Sequence, residues 1–135
     1  MKTNELLAKY PLATEVIRKS YFDKMIASVE SAKDIPEEFK QSLMNEAITD
    51  ERLIIFIDSM PRTLFDVFDD NEIYIAVFYT PNTFMVSINQ SDLGLKYNTR
   101  KEAELSVIAE AFRLLEEKIT PLEFPNIEDE AVIND

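Results

Sequence analysis

Asp66, Asp69, Asp70 and Glu72 are the densest set of groups in this chain that could do chemistry. Residues three and four apart share a helix face, so a helix ending near residue 69 would present two or three of these carboxylates together. Grouped carboxylates bind hard divalent cations, which makes the four the candidate metal site of a metal-binding protein or a metal-dependent enzyme. The spacing is not that of an EF-hand. Counted from Asp66, the third position is Phe68 rather than an acid, and the sixth, where the sharp turn requires glycine, is Asn71. The competing reading is a helix end followed by a turn, for which Asp and Asn are suited. Acids at a helix C-terminus oppose the macrodipole at a cost of about 0.3 kcal/mol, which keeps the metal reading open.

Most other chemistries are excluded by what the chain lacks. It has no Cys, no His and no Trp, and its one glycine is Gly94. Thiol nucleophiles, redox pairs, zinc knuckles and imidazole bases therefore fall away together. A single glycine cannot build a P-loop, a dinucleotide fingerprint or a nucleophile elbow. A glycosidase-like pair of carboxylates survives on composition, but a chain of this size without loop insertions has little material for a deep cleft. No catalytic constellation and no cofactor are called for.

The charge is uneven. Against 14 Lys and Arg stand 26 Asp and Glu, for a net charge of -12. Residues 34–72 hold eleven acids and three bases, and residues 121–135 five acids and no base. Such a surplus repels phosphates, so direct binding of DNA or RNA is not expected. Acidic composition also serves solubility alone. The functional reading is a non-enzymatic, acidic interaction module whose segment 34–72 or acidic tail meets a basic protein partner, in a sharper form a DNA mimic whose carboxylates along 34–72 imitate phosphates. Tyr74, Phe78, Tyr79 and Phe84 resemble a base-stacking platform in type, but the segment that carries them has no basic residue, and core packing explains the rings better. The unbroken apolar run Leu53–Ile57 is too short for a membrane span, and the polar start Met1–Leu7 is not an export signal, which places the protein in the cytoplasm. The oligomeric state is not legible.

The elements that must position these groups follow from periodicity and punctuation. A short helix over 3–9 ends at Tyr10-Pro11. A second runs from about 12 to 32, with Ile17, Tyr21, Phe22, Met25, Ile26 and Val29 on one face. Asp34 and Glu37 have capping-box spacing and open a third over 36–48, its buried face Phe39, Leu43 and Ala47, with Met44 and Ile48 alongside. Over 50–59, Thr49-Asp50-Glu51 signals a helix start while Leu53–Ile57 is rich in strand formers; a buried helix is favoured, with a buried third strand as the alternative. Pro61–Asp69 reads as another short helix with Leu64, Phe65 and Phe68 inward. Glu72–Thr80 and Thr83–Gln90 form a β-hairpin through Pro81-Asn82, the first strand covered on both faces, the second with Phe84, Val86 and Ile88 inward. Ser91–Gly94 reads as a turn. Thr99 and Glu102 form a capping box for a helix over 100–119 that covers the sheet, with Leu105, Ile108, Phe112, Leu115 and Ile119 inward and Glu102, Glu110, Arg113, Glu116 and Glu117 outward.

The strand Phe84–Gln90 followed by Tyr97–Glu104 and by Ala109, Ala111, Phe112, Leu115 and Glu116 resembles the close of many small, uncharacterised phage or mobile-element proteins. The likeness covers the C-terminal third and implies a small intracellular accessory protein; it carries no activity and no site residues. The expected architecture is α+β. N-terminal helices pack beside a central antiparallel β-hairpin, or a three-stranded sheet if a further strand joins it, and a C-terminal amphipathic helix covers it. Residues 1–120 form one domain, and 121–135 an acidic tail expected to be mobile.

Overall fold

The computed structural model describes residues 2–44 and 48–121. The expected acidic tail lies almost wholly outside the described residues, as does Ala47. The chain is α+β, as the sequence pattern implies. Helices α1 (Thr3–Lys9), α2 (Pro11–Ser31), α3 (Glu37–Met44) and α4 (Asp50–Ser59) come first, then a 3₁₀ turn (Pro61–Leu64) and α5 (Phe65–Asp70). Strands β1 (Ile75–Thr80), β2 (Thr83–Ile88) and β3 (Ser91–Tyr97) follow, and α6 (Arg100–Ile119) closes the fold.

Helix α6 forms because Thr99 caps it: its hydroxyl accepts from the Glu102 amide at 3.1 Å, while the Glu102 carboxylate accepts from the Asn98 amide at 3.3 Å. Its buried residues are Ala103, Glu104, Val107, Ile108, Ala111, Phe112 and Leu115. They make two adjacent rows rather than one stripe, so the helix is covered on a wide arc. One side packs on the sheet; another meets α2 and the 3₁₀ turn. Phe68 from α5 meets Phe112 edge to face at 6.0 Å in the centre of this core.

Residues 50–59 are helical, which settles the conflict of signals there. The Thr49 hydroxyl accepts from the Arg52 amide at 3.2 Å, and Leu53 and Ile57, four apart, are the fully buried pair while Ile55 is exposed. That is helical amphipathicity. The third strand is β3 instead. Its pairing with β2 carries a bulge around Gly94, whose φ of +76° a residue with a side chain adopts only at a cost. Asn89 and Gln90, both at positive φ, make the two-residue turn that joins β2 to β3. The segment 91–94 is thus strand and bulge, not a turn.

Three further expectations are corrected. Strand β1 begins at Ile75 and is covered on one face only, and there in part: Ile75 and Val77 face the core with Ile73 before them, while Phe78, Tyr79 and the preceding Tyr74 are exposed. Phe39 is also exposed, at 56%. Glu116, expected to point outward, turns in and accepts from the Ala13 amide at 2.8 Å. Ala13 is the third residue of α2, a helix whose own N-cap, Tyr10, offers no side-chain cap. The carboxylate of α6 therefore supplies both the missing acceptor and a negative charge at the positive end of α2. Replacement Glu116→Ala is expected to lower stability by about 1–2 kcal/mol, and Glu116→Gln by less, as read from urea unfolding midpoints at unchanged slope.

Candidate functional site

The four candidate metal ligands are placed by α5 and the turn after it. Val67 and Phe68 are buried and fix the helix, which leaves Asp66, Asp69 and Asp70 exposed on its other sides. Asn71 closes the helix: its side-chain amide donates to the Val67 carbonyl at 2.8 Å, and its backbone amide donates to the Phe68 carbonyl at 2.9 Å. Glu72 follows at a φ of +64° and turns to Lys118 of α6, 3.3 Å away. Lys118 also donates to the Asn71 carbonyl, so a cation stands where the acids of α5 would otherwise face an uncompensated helix end. Among the described residues, no three carboxylates are gathered as an ion would require. The structure brings Glu72 to a lysine rather than to the other three acids.

A buried charge that the sequence reading missed is Glu104, 5% exposed on α6. Its carboxylate accepts from Arg62 Nε at 2.9 Å, and Arg62 is two-thirds exposed, so the pair joins a dry anion to a wet cation. A signal for it existed. Position 104 lies four before Ile108, in the row that continues to Phe112 and Leu115. Beside the pair is an open depression of about 430 Å³ bordered by Met60, Arg62, Arg100, Lys101 and Glu104. A second hollow, about 340 Å³, lies between α1, α4 and α6, with Leu6, Ile54, Ile57 and Ile108 in its wall and Asp58 at its mouth, hydrogen-bonded to Thr3. Neither holds a grouping of catalytic type.

Two other polar anchors belong to the frame. Arg18 of α2 donates to the Ile48 carbonyl at 2.5 Å and to Asp50, and so pins the start of α4. Burial alone would lower its pKa, but the hydrogen bonds it donates to Asp50 and Glu15 outweigh it and the net direction is upward. Tyr21 stacks on Phe56 with ring centroids 4.7 Å apart, and its hydroxyl meets Thr63 at 2.7 Å. Burial raises its pKa above the ordinary 10.0, opposed by the Thr63 hydrogen bond.

The outer face of the sheet is the other departure from expectation. Tyr74, just before β1, and Phe78 on it stand on this face opposite Asn89 and Met85, and among the described residues no helix covers them. The rings are therefore not all core, although Phe84 is: it packs against the core, lies 5.1 Å from Tyr79, and carries the Arg100 guanidinium over its ring at 5.3 Å.

No family model, curated protein or solved structure matches this chain. Function is argued from these surfaces alone. Among the described residues, no helix is long and apolar enough to cross a membrane.

Two outcomes follow from the buried groups. Arg62→Ala leaves the Glu104 carboxylate buried without its donor and is expected to cost about 1–3 kcal/mol, whereas Glu104→Gln in the same background recovers part of it; chemical denaturation of the three proteins checks this. For Tyr21 the folded pKa lies above the unfolded one, so its contribution is present below pH 10.0 and is lost as pH rises through the folded value. Stability of the wild type should fall more steeply than that of Tyr21→Phe when both are melted across that alkaline range.

Proposed function

We propose that this protein is a non-enzymatic interaction module that engages a basic protein partner through the acidic segment 34–72. The observation that supports the reading is the state of the acids at the start of α3. Asp34, Glu37 and Glu38 are all exposed and, among the described residues, form no ion pair or side-chain hydrogen bond, and Phe39 stands exposed beside them. Exposed carboxylates around an exposed aromatic ring combine long-range attraction for a cationic surface with an apolar anchor.

The general form of this reading is better supported than the DNA-mimic form. Mimicry needs a continuous row of free charges, and three acids of the segment are turned to internal partners: Asp50 to Arg18, Asp58 to Thr3 and Glu72 to Lys118. A role as an accessory or inhibitor protein of a phage or mobile element is compatible with the module and rests on the C-terminal resemblance alone.

The test is capture from native cell extract by immobilised full-length protein at low and high salt, with Asp34→Asn, Glu37→Gln and Glu38→Gln combined as the comparison. A basic protein retained by the wild type at low salt, released at high salt and lost in the triple variant is the expected result, because exposed charge pairing is screened beyond about 10 Å at 0.1 M salt. Retention indifferent to both salt and neutralisation would overturn the reading.

A further inference from the structure

The depression bordered by Met60, Arg62, Arg100, Lys101 and Glu104 has a local charge opposite to that of the chain. Acids outnumber bases 26 to 14 in the sequence, and Arg18, Lys19, Arg113 and Lys118 each hold a carboxylate. Arg100 and Lys101 hold none. Among the described residues, Arg100 meets the Phe84 ring and, at 3.5 Å, the Val77 carbonyl, and the Lys101 side chain forms no ion pair or hydrogen bond. Arg62 spends its Nε on Glu104 and its terminal nitrogens on no other described residue. Three cations thus line one depression against a single anion.

The backbone adds positive character at the same place. Arg100 and Lys101 are the first two residues of α6, a helix of 20 residues. The Thr99 hydroxyl takes the Glu102 amide and the Thr99 carbonyl takes the Ala103 amide, so the amides of Arg100 and Lys101 have no acceptor within the helix. The positive end of the macrodipole lies there too. Cations and orphan amides together suit an oxyanion, but they do not tell one oxyanion from another.

Glu104 supplies the discrimination. It is 5% exposed and stands in the wall of the depression. Its Oε2 accepts from Arg62 Nε at 2.9 Å, while its Oε1 has no donor among the described residues. A buried carboxylate oxygen left without a donor is costly, and an ionised carboxylate can accept but not donate. An occupant that satisfies this wall must therefore be an anion that brings its own hydrogen. Inorganic phosphate does so, because near neutral pH it keeps at least one P–OH group. Sulfate has the same tetrahedral shape and keeps none.

We propose that this depression is a binding site for inorganic phosphate, whose oxygens accept from Arg100, Lys101 and the first amides of α6 while its hydroxyl donates to Glu104 Oε1. The cations and the helix start supply attraction; the buried carboxylate rejects an oxyanion that has no proton to give. The net charge of -12 opposes a polyanion laid across the surface far more than one small ion held at a locally positive point. Charges beyond about 10 Å are largely screened at 0.1 M salt. The site is separate from the acids of α3 and does not depend on them.

Titration of the full chain with inorganic phosphate and, separately, with sulfate tests this, at neutral pH and constant ionic strength, with the amide resonances of Arg100 and Lys101 as the readout. Phosphate should shift both saturably, and sulfate should bind at least about tenfold more weakly for want of a hydrogen bond to a charged group. Lys101→Ala, at an exposed position, should weaken phosphate by about tenfold. Glu104→Gln, whose amide donates as well as accepts, should bring the two anions to within about threefold of each other. Phenyl phosphate separates free phosphate from a phosphorylated ligand: at a pH of about 8 it has lost its last proton, whose pKa is about 6, and should bind no better than sulfate. The proposal is overturned by the absence of a saturable shift, by equal affinities of the wild type for phosphate and sulfate, or by a preference that survives Glu104→Gln. Phosphate affinity unchanged in Lys101→Ala, or phenyl phosphate bound more tightly than phosphate, overturns it as well.

Discussion

The structure depends on α6 being buried over two adjacent rows. A helix with one apolar stripe covers one layer; this one has Ala103, Val107, Ala111 and Glu104, Ile108, Phe112, Leu115 side by side, and so contacts the sheet and the helical layer at once. The small residues Ala103 and Ala111 allow close approach, and Phe112 fills the space left to it. An isolated three-stranded meander with one bare face would be marginal, and α1 to α5 are each too short or too irregularly patterned to fold unaided. Both layers are stable because they share this helix.

Polar groups fix the register of what the apolar core holds together. Thr14 of α2 donates toward the Tyr10 carbonyl at 2.8 Å and the Leu7 carbonyl at 3.2 Å, so the end of α1 is satisfied by the next helix. Glu116 caps α2, Arg18 holds the start of α4, Lys118 holds the end of α5, and Tyr97 on β3 meets Ser106 of α6 at 2.5 Å. In each case a helix end or a strand finds its partner on another element. Apolar burial is non-directional, and contacts of this kind select one packing among those that bury similar area.

The elements legible in the sequence were those whose signals are local. Thr99 and Glu102 announce α6, Pro11 and Pro61 mark boundaries, and the alternation from Ile73 to Ile88 gives the hairpin. Strand β3 was not legible because Ser91, Asp92 and Gly94 read as turn chemistry although Leu93, Leu95 and Tyr97 alternate with Asp92, Gly94 and Lys96, and the bulge around Gly94 is defined only by the pairing with β2. The exposure of Phe39, Tyr74 and Phe78 was hidden for a related reason: apolar character says what a residue can bury, not whether a neighbour exists to bury it. Glu104 and Glu116 were hidden by their charge, which reads as surface until the donors on Arg62 and Ala13 are located. The acidic residues of α5 were legible as a group, while Glu72's turn toward Lys118 depended on a residue far along the chain.

With a single glycine, the chain must place ordinary residues where left-handed backbone is needed. Glu72, Asn82, Asn89 and Gln90 have φ of +64°, +69°, +52° and +73°, and with Gly94 they all fall between the end of α5 and the middle of β3. Each non-glycine instance costs up to about 1–2 kcal/mol, somewhat less for asparagine. Among the described residues the helical layer bears none of this strain. The sheet is thus held in shape from outside, by the helix beneath it, and local opening of the molecule is expected to begin at its turns, with amide protons of the meander exchanging through fraying and those at the centre of α6 only when the whole domain unfolds.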